Sequence, residues 1–248
     1  MSDMPPTPGN GRRDERRMKA ILAFVAAVAF VAAPFLVRGF AGFEPSLFPV
    51  PQDRPPVQPA GYAFSIWLPI YVGLLVHAGF GLFLRAEDAG WDAPRWPLVV
   101  SLGAGSAWLG VATFSPIWAT VLIWVMLAGA LLALWFAPRA DRWPGQLPLG
   151  LYAGWLTAAS WVSVGFLLGG YGLASETLAA LVSVALAAVF ALAVQLGVPR
   201  APEYGLAVIW ALVAVALANL TGSLVVAALA LLAAAAMGLA LWRVCLGR

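Results

Sequence analysis

The chain has 248 residues, of which 62% are hydrophobic and 10% charged, with a net charge of +3 at neutral pH. A water-soluble core of this length cannot bury that much apolar surface, which excludes a soluble globular fold; the basic residues stand at the ends of apolar runs, where they read as topology signals and not as a nucleic-acid surface. Cys245 is the sole cysteine and His77 the sole histidine, which excludes an intramolecular disulfide, a multi-cysteine metal site and any multi-histidine haem or di-metal arrangement within one chain, while leaving a lone axial ligand open.

Runs of about twenty apolar residues, the length that crosses a hydrocarbon core of about 30 Å, recur along nearly the whole chain. They are continuous and rich in Ala and Leu, whereas barrel strands alternate, so the expected fold is all-α: a polytopic membrane helical bundle of about eight transmembrane helices. Residues 1–18 are polar, with Arg12, Arg13, Arg16 and Arg17, and predict a disordered cytoplasmic tail. A first helix follows over 20–37. It reads as an uncut anchor, because Pro34 would occupy the first position of a cleaved product and a further membrane domain follows. The connection 38–60 is broken by Pro45, Pro49, Pro51, Pro55, Pro56 and Pro59, which predicts an ordered lid or a stiff loop.

The second helix is expected over 62–84, and a charged loop covers 85–95. The third, over 96–114, is joined by the tight Ser115-Pro116 turn to a fourth over 118–136, making the two antiparallel neighbours. Residues 138–146 lead to a fifth helix over 147–168 that ends in Gly169-Gly170. Three more are expected over 177–196, 204–220 and 224–242. With the N-terminus cytoplasmic, eight crossings place all fourteen basic residues except Arg38 and Arg54 on the inner side. That bias puts both termini in the cytoplasm and the proline-rich loop on the opposite face of a bilayer, expected to be a bacterial inner membrane.

The chemistry is concentrated at the start of the second helix. At about 100° per residue, Trp67 and Tyr71 lie about 40° apart, with Phe64 on one flank and Leu74 and Ala78 continuing the stripe. Pro69 lacks the donor for the Ser65 carbonyl, so a kink or a freed carbonyl is expected beside the aromatics. In the third helix Trp108 stands near Ser101, Ala104 and Gly105. In the fifth, Tyr152 and Trp155 share a stripe with Ala159, Ser163 and Phe166, while Trp161 points the other way. Such residues line a cleft or simply pack.

In this arrangement the chain resembles the TspO/MBR family, the tryptophan-rich sensory or translocator proteins. That family has a Pro-Gly-Trp-Val-Phe…Trp…Tyr motif at the start of its second helix. Pro59, Gly61, Tyr62, Phe64, Trp67 and Tyr71 look like its counterpart, with Tyr62 replacing the first tryptophan. The family's Asn-x-x-Trp is matched by Trp108 with Gly105 at the asparagine position, and its Pro-Tyr-x-x-Trp…Asn by Tyr152 and Trp155, with Leu151 and Ser163 at the other two. This likeness covers about 20–168. After the polar tail over 1–18 it implies a five-helix core over 19–170 with a ligand pocket beneath the first loop, and the helices over 171–248 look like a three-helix extension of it. The ligand implied is a porphyrin or other tetrapyrrole, or a similarly flat hydrophobic molecule, held by Gly61, Tyr62, Phe64, Trp67, Tyr71, Trp108, Tyr152, Trp155 and Ser163. Arg38 and Arg54 are the cationic candidates for its carboxylates.

No carboxylate, serine–histidine pair or metal cluster converges on the aromatic stripe, which favours a binder or sensor of that ligand over an enzyme. Two other roles stay open: a transporter or porphyrin-modifying enzyme acting on the same ligand, and a scaffold that docks a homodimer or larger membrane complex through its last three helices. Because every matched aromatic precedes Leu168, those three helices are expected to be dispensable for the ligand.

Overall fold

The computed structural model describes residues 8–37 and 42–246. Eight α-helices succeed one another: α1 (Pro8–Leu36), α2 (Trp67–Phe83), α3 (Arg95–Ala112), α4 (Pro116–Trp135), α5 (Leu147–Gly170), α6 (Glu176–Gly197), α7 (Pro202–Ala218) and α8 (Leu224–Leu246). No strand occurs among the described residues. Six of the helical segments are long and apolar enough to cross a membrane. The other two fall short for different reasons. α7 has only 17 residues, and α3 is diluted by Arg95, Pro97, two serines and three glycines. Both are nevertheless enclosed by helices, α3 between α1 and α4 and α7 between α5 and α8. The chain is a polytopic helical membrane protein.

The first departure from expectation is at the N-terminus, where α1 begins at Pro8 and not after residue 18. Part of the charge around this start has partners: Arg13 lies 3.7 Å from the Glu87 carboxylate. Lys19 bridges Glu15 one turn earlier (2.8 Å) and Asp92 in the α2–α3 loop (3.1 Å), and Arg16 donates to the Glu87 carbonyl at 3.0 Å. Arg95, buried at the start of α3, donates to the carbonyls of Arg16, Gly81, Arg85 and Ala86, and so satisfies oxygens that the end of α2 leaves open.

The same end of the bundle gathers most of the remaining described charge. Arg85 makes a forked pair with Asp141 (2.9 and 3.1 Å), and the Trp91 indole donates to the same carboxylate at 2.9 Å. The Arg85 guanidinium foremost holds the Asp141 carboxyl below its ordinary range. Arg142 pairs with Glu203. Arg200 donates to the last carbonyls of α4, those of Leu134 and Trp135, and to Gln146. His77 is spent here too, against the Pro144 carbonyl at 2.9 Å and stacked on Trp91.

The turn from α3 to α4 is as tight as Ser115-Pro116 predicts: the serine hydroxyl accepts from the Trp118 N–H at 3.3 Å and Pro116 opens the helix, where its missing donor is not needed. Pro69 causes no break in the helical run 61–83. It is the third residue of α2, next to the junction where the 3-10 segment, with the Trp67 N–H bonded to the Phe64 carbonyl, passes into the α-helix.

α5 is the spine of the molecule. It packs against α2, α4, α6 and α7, and it can do so because its glycines let neighbours approach closely. A Cβ built on Gly154 would collide with the Tyr204 carbonyl and lie 2.9 Å from the Ala207 methyl; one on Gly150 would meet Glu203 at 3.1 Å. We therefore expect Gly154→Val to push α7 off α5 and to lower the melting temperature in detergent well below that of Gly103→Val. Gly103 has open space around it. Equal melting temperatures would contradict the close crossing.

Candidate functional site: an aromatic chamber under the first loop

Residues 42–60 fold back over the far end of the bundle, and their prolines stiffen a segment that is packed inward. Phe48, Gln52 and Val57 are buried. Phe43 and Phe48 meet Phe166 of α5 at 5.5 and 5.9 Å between ring centres. Three hydrogen bonds from or to α7 hold the segment and its continuation: Ala60 N–H to the Ala214 carbonyl (3.1 Å), Asn219 amide to the Pro56 carbonyl (2.8 Å), and Trp210 indole to the Ala63 carbonyl (2.9 Å).

Beneath this lid lies a cavity of about 520 Å³ bounded by α1, the start of α2, α3, α4 and α5, within the range of small-molecule sites. Gly61, Phe64, Trp67, Tyr71, Trp108 and Trp155 line it. Their convergence follows from the backbone. Gly61–Ile66 is a 3-10 segment that passes into α2 at Trp67, and a 3-10 turn has three residues. Gly61, Phe64 and Trp67 thus share a face, and Tyr71 continues it one α-turn later. Trp67 and Tyr71 stack (5.2 Å, 20°), while Trp155 stands edge-on to both Trp67 (6.1 Å) and Phe64 (5.8 Å). The Trp108 indole is anchored by the Ala119 carbonyl at 2.8 Å.

The same geometry directs other expected residues elsewhere. Tyr62, one step off the 3-10 face, packs edge-on against Trp210 of α7 at 5.3 Å and lines no part of the chamber. Tyr152 is fully buried; its hydroxyl donates to Ser101 at 3.0 Å, and Ser101 in turn donates to the Met126 carbonyl at 2.6 Å. It supports the chamber from behind, through its edge contact with Phe30 (5.6 Å). Arg54 is exposed and borders neither cavity. Arg38 lies outside the described residues.

Ser163 borders a second, smaller cavity of about 100 Å³ that reaches from the lid residues Phe43 and Val57 past α5 to α6 and α7. Phe64, Trp108, Trp155 and Ala159 border both spaces. Trp161 also borders the smaller one, and it meets Trp124 of α4 and Phe190 of α6 edge-on.

Phe30 of α1 was not foreseen. It contacts Trp67, Tyr71 and Tyr152 edge-on at 5.5–5.8 Å, and nothing in its Ala- and Val-rich surroundings marks it out. The signal lay in Gly105. A Cβ there would be 2.5 Å from the Phe30 ring, so the ring occupies the space that any side chain at position 105 would need. Where the resembling motif carries asparagine, this chain has a glycine and a phenyl ring, and the wall is apolar.

Fold and site define an integral membrane protein with an aromatic chamber beneath its first loop. A family model described as TSPO-like protein matches residues 20–242, and the chain belongs to that family. The match continues past Leu168, where the residue-by-residue likeness stops, through α6 and α7 and into α8. Comparisons with curated proteins and with solved structures gave no match.

Proposed function

We propose that the protein binds a flat, hydrophobic small molecule of the porphyrin class in the chamber beneath residues 42–60, acting as a binder or sensor. The observation that carries this reading is the 520 Å³ space faced by Trp67, Tyr71, Trp108 and Trp155. A tetrapyrrole offers a broad π-surface to such rings, and the chamber's size suits a ligand of that kind. Support for binding over chemistry comes from the lining itself: among the described residues that border the chamber, none is a carboxylate, histidine or cysteine, and Gln58 and Tyr71 supply the side-chain oxygens. The Gln58 amide stands at the lid, on the side where a ligand's polar edge would reach the membrane surface.

The test is the absorption spectrum of protein purified from its native membrane. A tetrapyrrole band that co-elutes with the folded protein and disappears in Trp67→Ala is expected; its absence after growth with excess porphyrin precursor would count against the reading.

We also propose that both termini are cytoplasmic in a bacterial inner membrane. The support is that Arg16, Lys19, Arg85, Arg95, Arg142 and Arg200 are all tied into one end of the bundle, with the lid at the other. Reporter fusions at Asp53 and after Arg248 should report opposite sides of the membrane. The same side for both would refute the orientation.

A further inference from the structure

We infer that the ligand of the chamber bears a short branch ending in a neutral hydrogen-bond acceptor, a carbonyl oxygen in the simplest case, and that this branch enters the smaller cavity where Ser183 and Trp161 receive it. The inference rests on the binding reading above and narrows its ligand class.

The starting observation is an unmade pair of hydrogen bonds. Ser183 is 1% exposed, yet its hydroxyl has no partner; the Trp161 indole N–H is likewise buried and unpartnered. Buried polar groups are seldom left this way, because each forfeits its bonds to water without replacement. Neighbouring hydroxyls show the usual solution. Thr157 and Ser163 donate one turn back along α5, to Ala153 (2.9 Å) and Ala159 (3.0 Å), and Ser101 crosses to the Met126 carbonyl. Ser183 could return to α6 in the same manner, but it does not.

Among the unpartnered buried polar atoms, Ser183 Oγ and Trp161 Nε1 are the two whose residues border the 100 Å³ cavity. They come from different helices, α6 and α5, and both residues line one space whose remaining wall is largely apolar. An indole N–H can only donate and a hydroxyl can donate, so the complementary group is an oxygen with two lone pairs. It must be neutral, since no cation borders the cavity to compensate a buried carboxylate. The volume admits a branch of a few heavy atoms and not a ring system: a cavity of about 150 Å³ is what benzene occupies. The two spaces adjoin one another, with Gly42, Gln58, Phe64, Trp155 and Ala159 lining both, so a branch from the body of the ligand has only that shared boundary to cross.

The experiment uses a matched pair of fluorescent probes, 1-acetylpyrene and 1-ethylpyrene. Both have the same flat four-ring body and nearly the same branch, and only the first has an acceptor. Binding is measured to the full-length protein in nanodiscs, with empty nanodiscs subtracted. The wild type should prefer the acetyl probe by about fivefold or more, the worth of one or two buried hydrogen bonds. Ser183→Ala and Trp161→Phe should each reduce that preference without weakening the ethyl probe, and the double variant should abolish it. Ala187→Leu, which fills the smaller cavity from α6, should weaken both branched probes relative to unsubstituted pyrene, and this arm stays informative if Trp161→Phe loosens the packing with Trp124. Equal affinity of the two probes for the wild type, or a preference that survives in the double variant, overturns the assignment while leaving the chamber reading intact. Failure of all three pyrenes to bind overturns the chamber reading on which it rests.

Discussion

We expect Trp67→Ala to weaken protoporphyrin IX binding by at least about tenfold and Trp118→Ala to leave it unchanged. Trp67 meets three aromatic neighbours of the chamber: Tyr71 stacks on it, and Phe30 and Trp155 stand edge-on. Removing the indole takes away an aromatic contact of roughly 1 kcal/mol beyond the area it buries, and that area adds more, so the sum passes the 1.4 kcal/mol of a tenfold change. Trp118 is the matched control because it is 63% exposed on α4 and borders neither cavity. Trp161, which helical phase alone would select as a control, does not serve: its indole borders the smaller cavity. Melting temperatures of both variants in the same detergent separate loss of a binding surface from loosening of the bundle. A loss in Trp67→Ala that appears only together with unfolding would leave Trp67 as packing.

The second large effect is expected from a truncation. A chain ending at Gly170 retains every matched aromatic residue, but it loses Ala214, Trp210 and Asn219, which hold the lid and the start of the 3-10 segment through three hydrogen bonds. It also lays bare the face of α5 built around Gly150 and Gly154 to receive α7. We expect such a chain to bind no porphyrin even where it inserts, in contrast to the dispensability that the sequence suggests for α6–α8. Asn219→Leu in the full chain isolates one of these tethers. It removes a buried amide that donates to Pro56 and Val215, and should reduce affinity severalfold with the bundle intact. Wild-type affinity in a folded truncation would show that the first five helices carry the site alone.

Helix number and order were legible because a membrane span leaves a long, continuous apolar run, and the Ser115-Pro116 turn carries its own chemistry. The aromatic cluster was legible in part. Trp67, Tyr71, Trp108 and Trp155 were legible from phase and motif. Tyr62 came with the motif alone, at the position of the first tryptophan, and the 3-10 winding of residues 61–66 turns it toward Trp210 of α7 instead. The role of Phe30 depended on a glycine 75 residues away in α3 leaving room for its ring, a tertiary fact with no local signature. The helical start of the tail was not legible because a run of arginines reads the same whether solvated or paired, and here Glu87 pairs Arg13 and Arg16 while Lys19, just after the run, bridges Asp92. The role of α7 at the lid was hidden for a similar reason: backbone carbonyls accept two of the side-chain bonds involved, and any residue type supplies those.

Uptake of the ligand by the chamber, and not by the surrounding lipid, is tested most directly by titrating protoporphyrin IX into the full-length protein in nanodiscs and following energy transfer from tryptophan, with empty nanodiscs as reference. The chamber predicts saturation at one porphyrin per chain, with strong quenching from the indoles at positions 67, 108 and 155. Quenching that rises without saturation, in step with partition into empty nanodiscs, would contradict it.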